Sequence, residues 1–225
     1  MGVAPELLKG VSLQGKVVTG DALYSQRKLV QQIRDAGGHY LVVVKKNQLT
    51  LYQDIELLFA QPPEDEVFAS AETQNRHGDR REIRRLWAST ALRGYLDWPG
   101  VEQVCKVERI SESKGNRTEQ VRYVITDLGT EVSPEDLMRH VRGHWGIENR
   151  LHYVRDVTFG EDASQVRKQA APEVMAALRN VTIGILRKAG WQNISGKRAS
   201  RLAAALRHNG WKKHSAIELL GISTA

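Results

Sequence analysis

The sequence predicts an α/β protein with a β-rich middle and a helical, basic C-terminal region. Three observations lead there. Two short, β-branched apolar runs, Lys16-Val-Val-Thr-Gly-Asp21 and Tyr40-Leu-Val-Val-Val44, flank a helical pattern. Residues 64–128 are a series of β-type runs broken by turn clusters. Beyond Ser133 the apolar residues recur at helical spacing.

Each element has a local reason. The run ending at Gly20 is apolar on both faces, as is Tyr40–Val44, so both are expected to be buried and paired in parallel. Between them Leu29, Val30, Ile33 and Ala36 recur at helical spacing. Ser25 is the expected N-cap and Gly37-Gly38 the stop. A second helix is expected from about Thr50 to Phe59, with Leu51, Ile55, Leu58 and Phe59 inward and Pro62-Pro63 ending it. The β-type runs are Glu66–Ala69, Ile83–Trp87, Val101–Ile110 and Val121–Ile125, with a hairpin turn at Gly115-Asn116. Ser133-Pro-Glu-Asp136 starts a long helix with a cap, a first-position proline and acids in the first turn. That helix carries Leu137, Val141, Trp145, Ile147, Leu151 and Val154 inward. Pro172–Lys188 and Gly196–His208 read as two more helices, and Trp191 and Trp211, each after a Gly, as helix ends docking on the core.

Charge separates the ends of the chain. The net charge of its 225 residues is +7. Residues 163–225 hold eleven basic residues and two acids, so all the positive excess lies there. Basic residues spread over several helical patterns fit a nucleic-acid backbone better than a membrane surface. No run approaches the ~18 apolar residues of a membrane span, and Met1–Lys9 does not read as a secretory signal. Cys105, the one cysteine, excludes an internal disulfide and a cysteine-rich zinc site, and lies in an apolar strand where it is expected to be inert. A reducing cytoplasm is the expected compartment.

Two constellations carry chemistry. Asp21 stands where a buried parallel strand ends, the position at which open α/β sheets hold ligands. It reads either as a ligand-facing acid or as a turn Asp capping the next helix. His140, His144, Glu148 and His152 recur every four residues on one helix. They could chelate a metal in a hydrolase, contact phosphate or cap apolar packing. Asp21 and Glu148 together offer hard oxygen ligands for Mg²⁺. Lys45 and Lys46 follow the second strand on the same sheet edge, either positioning phosphate or merely solvated. Arg80, Arg81, Arg84 and Arg85 form a basic cluster of the kind exposed strands commonly carry. Trp145 reads as core, and Glu161 and Asp162 as caps of the next helix.

The sequence resembles the DDE transposases of bacterial insertion sequences, in the insertion-sequence-four superfamily and its H-repeat-associated branch. Four blocks carry the resemblance: Val17-Val-Thr-Gly-Asp21-Ala-Leu-Tyr-Ser-Gln26; Ala36-Gly-Gly-His-Tyr-Leu-Val-Val-Val-Lys-Lys-Asn-Gln48; His77 through Glu82-Ile-Arg-Arg-Leu-Trp87; and His144-Trp-Gly-Ile-Glu148-Asn-Arg-Leu-His152 on to Ser164. It implies an RNase H-like core and Mg²⁺-dependent (or Mn²⁺-dependent) cleavage and joining of double-stranded DNA. It also implies a homodimer acting on paired element ends and a nucleoid-associated location. By this resemblance Asp21 is the second catalytic acid and Glu148 the final one, both metal ligands. Lys45, Lys46, Arg142, His144, Arg150 and Arg155 are the expected DNA contacts. The Tyr, Arg and Lys that surround the final Glu in the superfamily correspond here to Val141, His144 and Arg155. The resemblance implies a first catalytic Asp on an earlier strand, and residues 1–20 contain no Asp. An N-terminally truncated core is expected, inactive alone, with a non-catalytic DNA-binding remnant or regulator as the alternative. Asp127, at another strand end, is the remaining in-chain candidate. The expected segments are a first core part over 1–61, a β-rich insertion over 62–128, the helix of the final Glu over 129–161, and a helical basic region over 162–225.

Overall fold

The computed structural model describes residues 3–147, 152–191, 201–212, 214, 217 and 219. They form two compact units, Met1–His144 and Trp145–Ala225. The division falls inside the segment expected to be one core helix.

The first unit is a six-stranded mixed sheet in the order β1-β2-β6-β5-β4-β3. Helix α1 (Val3–Lys9) precedes β1 (Val17–Gly20). Helix α2 (Arg27–Asp35) crosses to β2 (His39–Val44), which pairs with β1 in parallel, Gly20 opposite Val42. Helix α3 (Leu49–Ala60) follows, and then β3 (Ala69–His77), β4 (Arg80–Ser89), β5 (Gln103–Ser113) and β6 (Asn116–Thr126). These four are antiparallel, and β6 returns to pair with β2, Val42 opposite Ile125. The β-rich stretch therefore continues the sheet of β1 and β2. Helix α4 (Pro134–Ile147) closes the unit.

Local chemistry explains the boundaries. The N-cap of α2 is Gln26, not Ser25: the Ser25 hydroxyl is buried without a hydrogen-bond partner among the described residues, and no side chain caps the helix. Its end is as expected. The Gly37 N–H donates to Arg34 O at 2.9 Å and the Gly38 N–H to Ile33 O at 3.0 Å, a Schellman closure. The β5–β6 turn residues are Lys114 and Gly115, both with positive φ, one position before the expected pair. Two left-handed residues match the strand twist. Strand β3 begins at Ala69, where the expected Glu66–Ala69 run ends, because it takes its register from β4 rather than from its own polar sequence.

Period-2 alternation divides the core. Tyr40, Val42 and Val44 face α2 and α3 with Val30, Ile33, Ile55 and Ile125. Leu41 and Val43 face α4 with Leu86, Cys105, Val124, Leu137, Met138 and Val141. Ser133 caps α4 as expected, its Oγ accepting the Asp136 N–H at 3.2 Å.

The second unit holds a π-helical turn at Val154–Thr158, helix α5 (Ala171–Lys188) and helix α6 (Arg201–Trp211). Val154, Ile183, Leu186, Leu202 and Ala205 form its core. Trp191 packs against that core as expected. Trp211 does not. It lies within α6 and is 90% exposed, because helix α6 continues through Gly210 rather than stopping there. No described helix is long and apolar enough to cross a membrane.

Candidate active site

The site is built on the carboxyl ends of β1 and β2. Gly20 closes β1 under tight packing: a Cβ there would meet Tyr24 Cβ at 3.2 Å and Val42 Cγ1 at 3.3 Å. The chain then turns, with the Tyr24 N–H donating to Asp21 O at 2.8 Å. The segment after β2 holds this turn in place. Asn47 Nδ2 donates to Ala22 O at 3.1 Å and Gln48 Nε2 to Ser25 O at 3.0 Å. Sequence reading passed over these two as positioning residues. Their signal was a pair of carboxamides directly after a buried strand end.

Asp21 is half-exposed and ion-paired. Lys45 Nζ lies 3.0 Å from Oδ1 and 3.2 Å from Oδ2. Partial burial pushes the Asp21 carboxyl up. The Ala22 N–H, the Lys45 ammonium and the charge of His144 outweigh that and hold it below the usual carboxylate range. Asp21 is thus an ionised oxygen donor with a cation already across both its oxygens. That donor type and electrostatic setting suit a hard divalent cation in the ammonium's place. Among the described residues, no three His, Cys, Asp or Glu side chains gather as a metal-binding group.

The His144 ring meets the same edge: its Nδ1 lies 3.3 Å from Thr19 Oγ1. Thr19 was not singled out from sequence, although alternation along β1 places it on the face of Asp21. The structure therefore brings Asp21, Lys45, Thr19 and His144 to one sheet edge. Lys46 lies apart from that pair, its ammonium 5.9 Å from the Tyr52 ring centroid. Arg142 is exposed on α4. Arg155, in the second unit, donates to both oxygens of Glu161 at 2.6 and 2.5 Å. Glu148 and Arg150 lie outside the described residues.

Asp127 does a different job. Its side chain is 6% exposed. Oδ1 accepts the Tyr40 N–H at 2.7 Å, and Oδ2 lies 3.5 Å from Arg34 Nε and 3.4 Å from His39 Nδ1. It ties β6 to the start of β2, whereas Asp21 stands beyond the end of β1. Cys105 is buried, and burial pushes its thiol up to about 12, as expected of an inert cysteine.

Comparison with known proteins follows this geometry. The transposase DDE domain family matches residues 2–184. The chain is 32% identical over 194 residues to "Putative protein YbfL" of Escherichia coli (strain K12), covering 81% of this chain and 50% of that one. It is 31% identical over 194 residues to "H repeat-associated putative transposase YhhI" of the same strain, with the same two coverages. It is 29% identical over 195 residues to "Putative transposase YncI" of Escherichia coli O157:H7, covering 81% of this chain and 48% of that one. The chain spans about half the length of these curated relatives. A match running from α1 into α5 includes Asp21, Lys45 and the whole of α4, and by it the chain belongs to the transposase DDE domain family.

Proposed function

We propose that the chain is the later part of an RNase H-like transposase core of the H-repeat-associated branch, acting on double-stranded DNA. The observation that carries this is Asp21, an ionised carboxylate on a parallel strand end, held by Lys45 and faced by His144. Asp21 and Glu148 would hold Mg²⁺ or Mn²⁺, which supplies charge neutralisation at the attacked phosphate. Lys45 would move from the carboxylate to a non-bridging phosphate oxygen. His144 (kept in place by Thr19), Lys46, Arg150 and Arg155 would meet neighbouring phosphates. In cleavage, a water oxygen bonds to phosphorus while the bond to the 3′ oxygen breaks, leaving a 3′-hydroxyl and a 5′-phosphate. In joining, the oxygen of that hydroxyl bonds to a target phosphorus while the target's bond from phosphorus to its 3′ oxygen breaks, leaving a 3′-hydroxyl on the target strand.

Cleavage and joining need a further carboxylate, and Asp127 is committed to the Tyr40 N–H. We propose that these activities belong to a polypeptide that supplies it, and that the chain alone binds DNA without cutting it. Expression of the reading frame extended over upstream coding sequence, incubated with Mg²⁺ and an element-end duplex, tests this. Cleavage that disappears in Asp21→Asn and in Glu148→Gln is expected. Cleavage that survives Asp21→Asn overturns the assignment.

A further inference from the structure

The α4 side of the long strands carries a second polar cluster. Glu82 on β4 is 8% exposed. Three guanidiniums converge on it: Arg80 Nη2 donates to Oε2 at 2.9 Å, Arg109 Nη2 donates to Oε2 at 2.9 Å, and Arg84 pairs with Oε1. Arg84 and Arg109 stand directly opposite each other on β4 and β5, a like-charge cross-strand pair that is unfavourable by itself. One carboxylate cannot neutralise three arginines. The other face of the same strands is the contrast, for there Arg85 alone meets two carboxylates, Glu72 and Glu108.

Arg109 Nε and Asn75 Nδ2 are buried donors with no partner among the described residues. Asn75 lies opposite Glu82 in the β3–β4 register, so both donors belong to this cluster. Arg142 of α4 adds positive charge from above. Desolvation, and then the charges of Arg142, Arg109 and Arg80, lower Arg84 to about 10.

We infer that Arg84, Arg109, Arg80 and Arg142, organised by Glu82, form a binding site for a backbone phosphate of duplex DNA. Glu82 fixes the guanidiniums in place, the exposed parts of Arg80, Arg109 and Arg142 donate to the phosphate oxygens, and the surplus charge is neutralised. The inference rests on the DNA reading above and adds a contact remote from Asp21. Four strand spacings separate β1 from β4, about 19 Å across the sheet. A duplex with one phosphodiester at Asp21 spans that within a single turn of about 34 Å.

The test uses the full chain and a fluorescein-labelled duplex of about 30 base pairs, roughly three turns. Anisotropy is read over a salt series. Arg84→Gln and Arg109→Gln are each expected to weaken binding roughly tenfold and to lower the salt slope by about one. Arg84→Lys recovers the slope, and Arg85→Gln, on the other face, leaves it unchanged. Arg142→Gln, at an exposed position, gives the same loss and serves if Arg84→Gln fails to fold. Salt slopes equal to wild type in Arg84→Gln, Arg109→Gln and Arg142→Gln, with wild-type DNA binding intact, overturn this site and leave the proposed function standing. No duplex binding by the wild-type chain overturns the DNA reading and the site with it.

Discussion

Two strand-end aspartates of the first unit should differ in what their substitution costs. Asp127→Ala removes a charged acceptor from the Tyr40 N–H, 2.7 Å away, beside a fully buried tyrosine. Losing such a bond and leaving the donor unmet costs about 1.5–3 kcal/mol. The ion pair to Arg34 and the contact with His39 add less than about 1 kcal/mol, since both partners are more than a third exposed. The total is about 3 kcal/mol, or a fall of about 6–12 °C in melting temperature for a chain of this size. Asp127→Asn keeps an acceptor for Tyr40 and should cost about half. Asp21→Ala breaks the pair with Lys45, whose two side chains are 56% and 50% exposed, and removes an acceptor of the Ala22 N–H at a solvated strand end, so its cost is about 0–1 kcal/mol. Urea unfolding followed by far-ultraviolet circular dichroism measures all three. Asp21→Ala as damaging as Asp127→Ala would make Asp21 a structural cap and refute its assignment as a site carboxylate.

Further outcomes follow from the same geometry. The folded-state pKa of Asp21 is depressed, so its contribution to stability is present above the unfolded value of about 3.9 and is lost as pH falls through the lower folded value. Lys45→Met should raise the carboxyl midpoint seen in a carbon-13 titration of Asp21, and an unmoved midpoint would remove Lys45 as a cause. Cys105, fully buried with its thiol pushed up to about 12, should resist a thiol-reactive disulfide reagent in the native protein and react once urea unfolds it. Rapid native labelling would contradict the packing of β5 beneath α4.

Local sequence was most informative where one residue type has one physical use. The apolar runs at 17–20 and 40–44 read as parallel strands, and the structure pairs them so, with β2 buried and β1, at the sheet edge, only half-buried up to Gly20. The Gly37-Gly38 stop and the Ser133 cap are backbone chemistry readable from a few residues. It misled where neighbours decide. Ser25 looks like a cap, but the turn after Asp21 is held by Asn47 and Gln48, so the helix starts one residue later. Gly210 looks like a stop, but α6 runs through it to Trp211. The Glu66–Ala69 run looks like a strand, but β3 takes its place from β4.

The candidate site divides in the same way. Sequence alone placed Asp21 after one strand and Lys45 after the next, and put His144 on a helix leading toward Glu148. Tertiary structure decided that Lys45 rather than Lys46 faces Asp21, that Thr19 meets His144, and that Asp127 is a structural tie. It also showed that Arg80 and Arg84 of β4, ordinary in sequence, share one carboxylate with Arg109 of β5. The physical reason is range. Strand burial and helix capping depend on residues within a few positions, whereas charge balance and hydrogen-bond supply depend on register between strands far apart in the chain, which hydrophobic pattern does not encode.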